Sequence, residues 1–200
     1  NFFVTYSNLL NWNCDLKTGE LTVLDRLILA RLTQLVIETN ENLEKYNTIA
    51  ATRAIENFVI NDFSTWYIRR SRNRVGFSAD KKDRDTALSV MYGVLVALSK
   101  LIAPITPFIA EEIFRNLTQE ESVHLQDFPK GDRSLLNKEL IKDMDLVRKI
   151  VELGHAFRKE KTLQSKYKVY QENGALINHF ENIEEDKTLE KDESGIIKSL

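Results

Sequence analysis

Apolar residues recur along this chain at helical spacing, in long stretches that few glycines or prolines interrupt. Leu24, Leu27, Ile28, Leu32, Leu35, Val36 and Leu43 predict a helix over about residues 22–46. Thr22 and Asp25 form a capping-box-like start, with Asp in place of the usual Glu or Gln. Asn47 and Thr48 break and re-cap the chain. The next helix sets Ile55, Phe58, Val59 and Trp66 on one face and carries that face towards Arg69, Arg70 and Asn73. Residues 76–82 read as a loop, with Asp83 or Asp85 capping the third helix. Leu88, Met91, Val94, Leu95, Leu98, Leu101 and Ile102 cover most of that helix's circumference, the pattern of a central, buried element. Pro104 ends it. Thr106 as cap and Pro107 at the first helical position start another helix, running to about Leu117, and Glu111 and Glu112 suit its positive end. Residues 120–133 form a long connection holding an extended piece, SVHLQDFP. A final helix is expected over about 135–161, with Leu140, Met144, Val147 and Val151 inward.

The ends read differently. The first dozen residues look like the close of a helix begun earlier, and residues 14–19 a polar turn. After Lys161, KYKVY alternates in the manner of a weak strand, and residues 181–193 form an acidic tail poor in apolar side chains. The expected architecture is an all-α bundle of about five helices over residues 1–161, followed by a short irregular C-terminal extension over 162–200. Opening mid-pattern on Asn1 reads as a piece of a longer protein. Phe2, Phe3, Val4, Tyr6, Leu9 and Leu10 would then stay partly exposed.

Composition narrows the chemistry. One cysteine, Cys14, excludes an internal disulfide and a multi-cysteine zinc site. His124, His155 and His179 are scattered, so no metal site is expected. No glycine-rich phosphate loop and no Ser, His and Asp trio occur, so no catalytic residue is assigned. No apolar run is read as a membrane span and no signal peptide is seen, which makes the cytoplasm the expected compartment. Net charge is −2, which by itself argues against a nucleic-acid binder. Its distribution argues otherwise. Residues 69–84 hold seven Lys or Arg against Asp80 and Asp83, a local net of +5, and residues 148–168 hold seven against Glu152 and Glu160, again +5. The remainder carries −12. Two basic segments on an acidic body are what local polyanion binding requires, although long helices also carry many solvated charges.

The stretch 61–77, NDFSTWYIRRSRNRVGF, concentrates this chemistry. Arg69, Arg70, Arg72 and Arg74 follow directly on Trp66 and Tyr67; arginine forks grip phosphates and aromatic faces accept unstacked bases. On a 3.6-residue helix Asp62, Trp66 and Arg69 share a side with Phe58. Asp62 and Arg69 there read first as a structural ion pair, and Trp66 as core before it reads as a stacking platform. Arg72 and Arg74 are expected to point away from the stripe, towards phosphates, with Lys81, Lys82 and Arg84 extending the rim. A second constellation runs from Arg158 to Lys161 and on through Lys166 and Lys168, interleaved with Tyr167, Tyr170 and Gln171. Such groups stack on and hydrogen-bond exposed bases of a single-stranded loop; the other reading is a solvated helix end followed by a linker.

Four segments then carry a resemblance: LDRLILARL (24–32), AATRAIENFVINDFSTWYIRRSR (50–72), LIAPITPFIAEEIF (101–114) and SVHLQDFP (122–129). In this order and spacing the chain resembles the anticodon-binding domain of class I aminoacyl-tRNA synthetases, the isoleucyl enzymes in particular, over about residues 1–171. The SVHL-then-proline segment favours the isoleucyl over the valyl and leucyl relatives; a non-enzymatic helical module that binds protein is the alternative from another class. The resemblance implies a domain that holds a tRNA anticodon stem-loop. In the parent enzyme a catalytic domain of the same chain would join isoleucine to tRNA with ATP and Mg2+, while this fragment would need no cofactor. It further implies that Arg69, Arg70, Arg72, Arg74 and Lys81 neutralise stem-loop phosphates, and that Arg158, Lys166, Lys168, Tyr170 and Gln171 approach the loop. Asp62, Trp66 and Tyr67 are structural, with a possible RNA role. Where the family commonly runs Lys-Val-Arg-Gln-Pro, this chain has Lys168-Val169-Tyr170-Gln171-Glu172.

Overall fold

A computed structural model describes residues 1–12 and 19–173, with side chains to residue 161. The fold is all-α. Its elements are α1 (Phe2–Leu9), α2 (Val23–Glu44), α3 (Thr48–Asn57), a π-helical stretch (Phe58–Ile68), α4 (Arg69–Ser71), α5 (Lys81–Ile102), α6 (Pro107–Thr118) and α7 (Lys138–Asn173). Among the described residues there is no strand. The polar turn expected at 14–19 lies, up to Thr18, outside the described residues, as does the acidic tail.

Residues 1–141 form one compact unit. α2, α3 with its π continuation, and α5 close a core of Ile28, Leu35, Ile55, Phe58, Leu88 and Met91, among others. α5 is its centre: residues 86–91 are all buried, so this helix has almost no solvent face. By length and composition α5 also passes for a membrane span, contrary to the expectation that no apolar run does; its apolar surface is committed to the core. α1 docks through Phe3, whose ring meets Trp12 edge-on at 5.8 Å and Tyr92 at 6.2 Å. Val4 and Leu9 are exposed.

Several helix starts differ from expectation. The Thr22–Asp25 capping box is formed. α5 is capped by Asp80, which accepts from the Lys82 and Asp83 N–H groups, not by Asp83 or Asp85; Asp83 is drawn into an ion pair instead. Thr106 precedes α6 without a side-chain cap, because its hydroxyl turns back to the Ile102 carbonyl. The connection after α6 is pinned rather than extended throughout. Glu111 Oε2 accepts from the Ser122 hydroxyl and the Val123 N–H, both at 2.9 Å, and Val123–Leu125 is a 3-10 turn. Further on, Asn40 Nδ2 donates to the Pro129 carbonyl at 3.0 Å, which ties the connection to α2.

The second unit begins at Lys142, within α7. Its helix continues to Asn173, so KYKVY is helical and not strand-like. A helix already nucleated gains one bond for each residue it adds, whereas a lone strand gains none. Val147 and Val151, expected inward, are exposed, as are Leu146, Ile150, Leu153 and Phe157. Apolar residues are spread round this helix rather than gathered on one stripe.

Candidate nucleic-acid interface

The π-helical stretch decides what faces outward. Its i→i+5 bonds shift the register, so the inward residues are Phe58, Asp62, Phe63 and Tyr67 rather than an α-helical set containing Trp66. Phe58, Phe63 and Tyr67 stack in sequence, with centroids 6.5 and 6.1 Å apart and planes 6° and 11° from parallel. Trp66 is only half-buried, and the Arg70 guanidinium lies 3.2 Å from its ring centroid. Trp66 and Arg70 therefore make a two-layer planar stack at the edge of the core. Asp62 is buried and faces Arg31 of α2 at 3.8 Å, so its ion pair is with Arg31 and not with Arg69. Arg69 and Arg72 are exposed.

Arg74 does not point outward as the sequence suggested. Its guanidinium is only 14% exposed and is shared between two carboxylates. Nη1 and Nη2 donate to Asp25 Oδ1 and Oδ2, both at 2.8 Å. Nε donates to both Asp83 oxygens at 3.0 Å, and Nη2 to Asp83 Oδ1 at 2.6 Å. Asp25 is fully buried. It also accepts from the Tyr67 hydroxyl at 2.6 Å, the Thr22 hydroxyl at 2.6 Å and the Thr22 N–H at 3.0 Å. The physical reason is charge balance: a carboxylate buried on the inner side of α2 needs a cation with fixed geometry, and a bidentate arginine supplies it.

Protonation follows the same contacts. Burial pushes the Asp25 carboxyl up, but hydrogen bonds from Arg74, Thr22 and Tyr67, with the Arg74 charge, outweigh burial and hold it below the usual carboxylate range. Burial and the adjacent Asp25 charge push the Tyr67 hydroxyl above the usual phenol range. Burial alone would lower Arg74, yet its bonds to Asp25 and Asp83 raise it. All three groups are locked in Asp⁻, neutral Tyr and Arg⁺ states at neutral pH.

What remains outward is a rim of Arg69, Arg70 and Arg72 on the segment after the π stretch, with Lys81 and Lys82 on the first turn of α5. Arg74 and Asp83 join the two parts. Two lysines at the positive end of a helix cost a few tenths of a kcal/mol, roughly 0.3–1 each, which a bound polyanion would relieve. Arg84 is half-buried and faces Asp85 at 4.0 Å. In the second unit Arg158 is exposed on α7, and Lys161 Nζ sits 5.9 Å from the Phe157 ring centroid. The side chains of Lys166, Lys168, Tyr170 and Gln171 lie outside the described residues, although their backbone is helical.

Asp25 and Asp83 read from the sequence as helix-start residues, and their place in this cluster emerges only from the structure. A signal existed for Asp25: it sits three and seven residues before Ile28 and Leu32, on the apolar stripe of its own helix. A charge on a buried stripe requires a buried partner. Which residue that partner is could be told only by the fold.

Residues 25–172 match the family model described as the anticodon-binding domain of tRNA ligase. The chain is 42% identical over 172 residues to an isoleucine–tRNA ligase of Dehalococcoides mccartyi (strain CBDB1), covering 82% of this chain and 17% of that protein. It is 39% identical over 168 residues to the enzyme of that name from Thermus thermophilus, covering 79% and 16%. For that of Thermococcus kodakarensis the identity is 40% over 149 residues, covering 72% and 14%. The chain thus spans about one sixth of the length of the curated relatives it matches.

Proposed function

Given that this chain belongs to the family of anticodon-binding domains of tRNA ligases, we propose that it holds the anticodon stem-loop of an isoleucine tRNA as part of an isoleucine–tRNA ligase. The observation that carries the reading is the exposed run Arg69, Arg70 and Arg72 where the chain leaves the π-helical stretch, on a body whose remaining charge is acidic. Arg69 and Arg72 neutralise stem-loop phosphates, and Lys81 and Lys82 extend the track along α5. The Trp66–Arg70 stack offers a planar surface of the kind on which unpaired bases settle, where each stacked base contributes roughly 1–3 kcal/mol. Arg158, Lys166, Lys168, Tyr170 and Gln171 are the further groups proposed to meet loop bases, on the chemistry of their side chains alone. Phosphate contacts position the RNA and base contacts specify it. Arg74, spent on Asp25 and Asp83, touches no phosphate in this reading.

In the whole ligase, ATP and Mg2+ act in a catalytic domain that this chain does not include, and the chain itself binds without catalysing. It works in the cytoplasm, where its tRNA is charged. Changing Arg69 and Arg72 together to alanine should weaken tRNA binding and make its dependence on log salt shallower by about 0.7–0.9 for each phosphate no longer neutralised. Affinity and slope equal to those of the unchanged chain would exclude this rim as the RNA site.

A further inference from the structure

The exposed basic segment is pinned at both ends to one buried carboxylate. Tyr67 precedes Arg69, Arg70 and Arg72 and donates to Asp25 Oδ1 at 2.6 Å; Arg74 follows them and grips both Asp25 oxygens at 2.8 Å. Asp25 is itself fixed at the start of α2 by the Thr22 hydroxyl and N–H. On its other edge Arg74 grips Asp83 in the first turn of α5, the helix that carries Lys81 and Lys82. Between the pins the backbone turns on itself, the Arg74 and Val75 N–H groups donating to the Ser71 carbonyl at 3.1 and 3.2 Å.

A buried ion cluster is a poor device for stability alone, since well-packed apolar residues of the same volume often do as well or better. What it does supply is a single geometry: a planar fork bound to two carboxylates admits one orientation, where a point charge admits many. Tyr67 already fills the core with its ring, so its hydroxyl adds a tether rather than volume. We propose that Asp25, Tyr67, Arg74 and Asp83 form a positioning clamp that holds the segment of Arg69, Arg70 and Arg72 against the first turn of α5, so that Arg69, Arg72, Lys81 and Lys82 meet phosphates of a folded RNA and Arg70 keeps its place on Trp66. The inference rests on the RNA-binding reading above. The four clamp residues are positioning residues and touch no RNA.

Arg74→Lys separates geometry from charge, because it leaves the net charge unchanged and removes only the fork. Tyr67→Phe removes only the hydroxyl tether and keeps the ring stack. Each variant is compared with the unchanged 200-residue chain in two assays: tRNA affinity across a salt series, and tryptic cleavage after Arg69, Arg70 and Arg72 in the free protein. The clamp predicts a salt slope shallower by about 0.7–0.9 for each phosphate that the misplaced rim no longer reaches, despite unchanged charge. It also predicts faster cleavage at those three arginines. If Arg74→Lys does not fold, Tyr67→Phe carries the test. A lowered melting temperature with unchanged slope and cleavage would overturn the proposal and leave the cluster a stability element. An unchanged chain that binds no RNA in a salt-sensitive way would overturn the functional reading itself, and the purpose of the clamp with it.

Discussion

Asp25 accepts from five donors in a site closed to water: two from Arg74, two from Thr22 and one from Tyr67. Removing one partner of such a group leaves the other charge buried and unpaired, which typically costs about 3–5 kcal/mol. Arg74→Ala should therefore destabilise the chain by about that much in a denaturant titration, whereas Arg72→Ala should stay within about 0.5 kcal/mol. Equal, small effects would mean that the Arg74 contacts are not held in solution. The pH dependence follows with its sign. Asp25 is depressed in the folded state, so its contribution is present above the ordinary aspartate value and is lost as pH falls through the folded one. Tyr67 is raised, so its contribution is complete below about pH 10, the ordinary phenol value, and is lost as pH rises further. Tyr67→Phe should flatten the alkaline limb of stability against pH and leave the acid limb in place; an alkaline limb that persists in the variant would assign it to another group.

α2, α3 and α5 were legible in the sequence because their apolar residues recur at helical spacing, and the capping box of α2 was legible because Thr22 and Asp25 sit three apart. The π stretch was not. Over eleven residues a run as apolar as FVINDFSTWYI supports an i+4 and an i+5 register equally, and only tertiary packing, chiefly against α2, selects between them. The choice matters, because it turns Tyr67 into core and leaves Trp66 at the rim. Tyr67→Ala should cost about 3–5 kcal/mol as a core aromatic, and Trp66→Ala about 2 kcal/mol or less as a partly exposed cation–π partner. The reverse order would restore the α-helical register. For the same reason the placement of Arg69, Arg70 and Arg72 at a helix end was readable, while the diversion of Arg74 was not: its partners lie 49 and 9 residues away in sequence.

At the scale of the molecule, the charge distribution does what net charge conceals. Two segments of +5 stand in a chain whose other residues sum to −12, and such an uneven distribution along the sequence favours approach of a polyanion to those segments. Binding should accordingly fall with salt even though the net charge is −2. The central claim is that this chain reads an anticodon stem-loop and is not merely a phosphate clamp. Its most direct test is a titration of the chain with isoleucine tRNA and with the same tRNA carrying a substituted anticodon, each at two salt concentrations. The predicted result is salt-sensitive binding that weakens when the anticodon is substituted. Equal affinity for the two RNAs at both salt concentrations would contradict it.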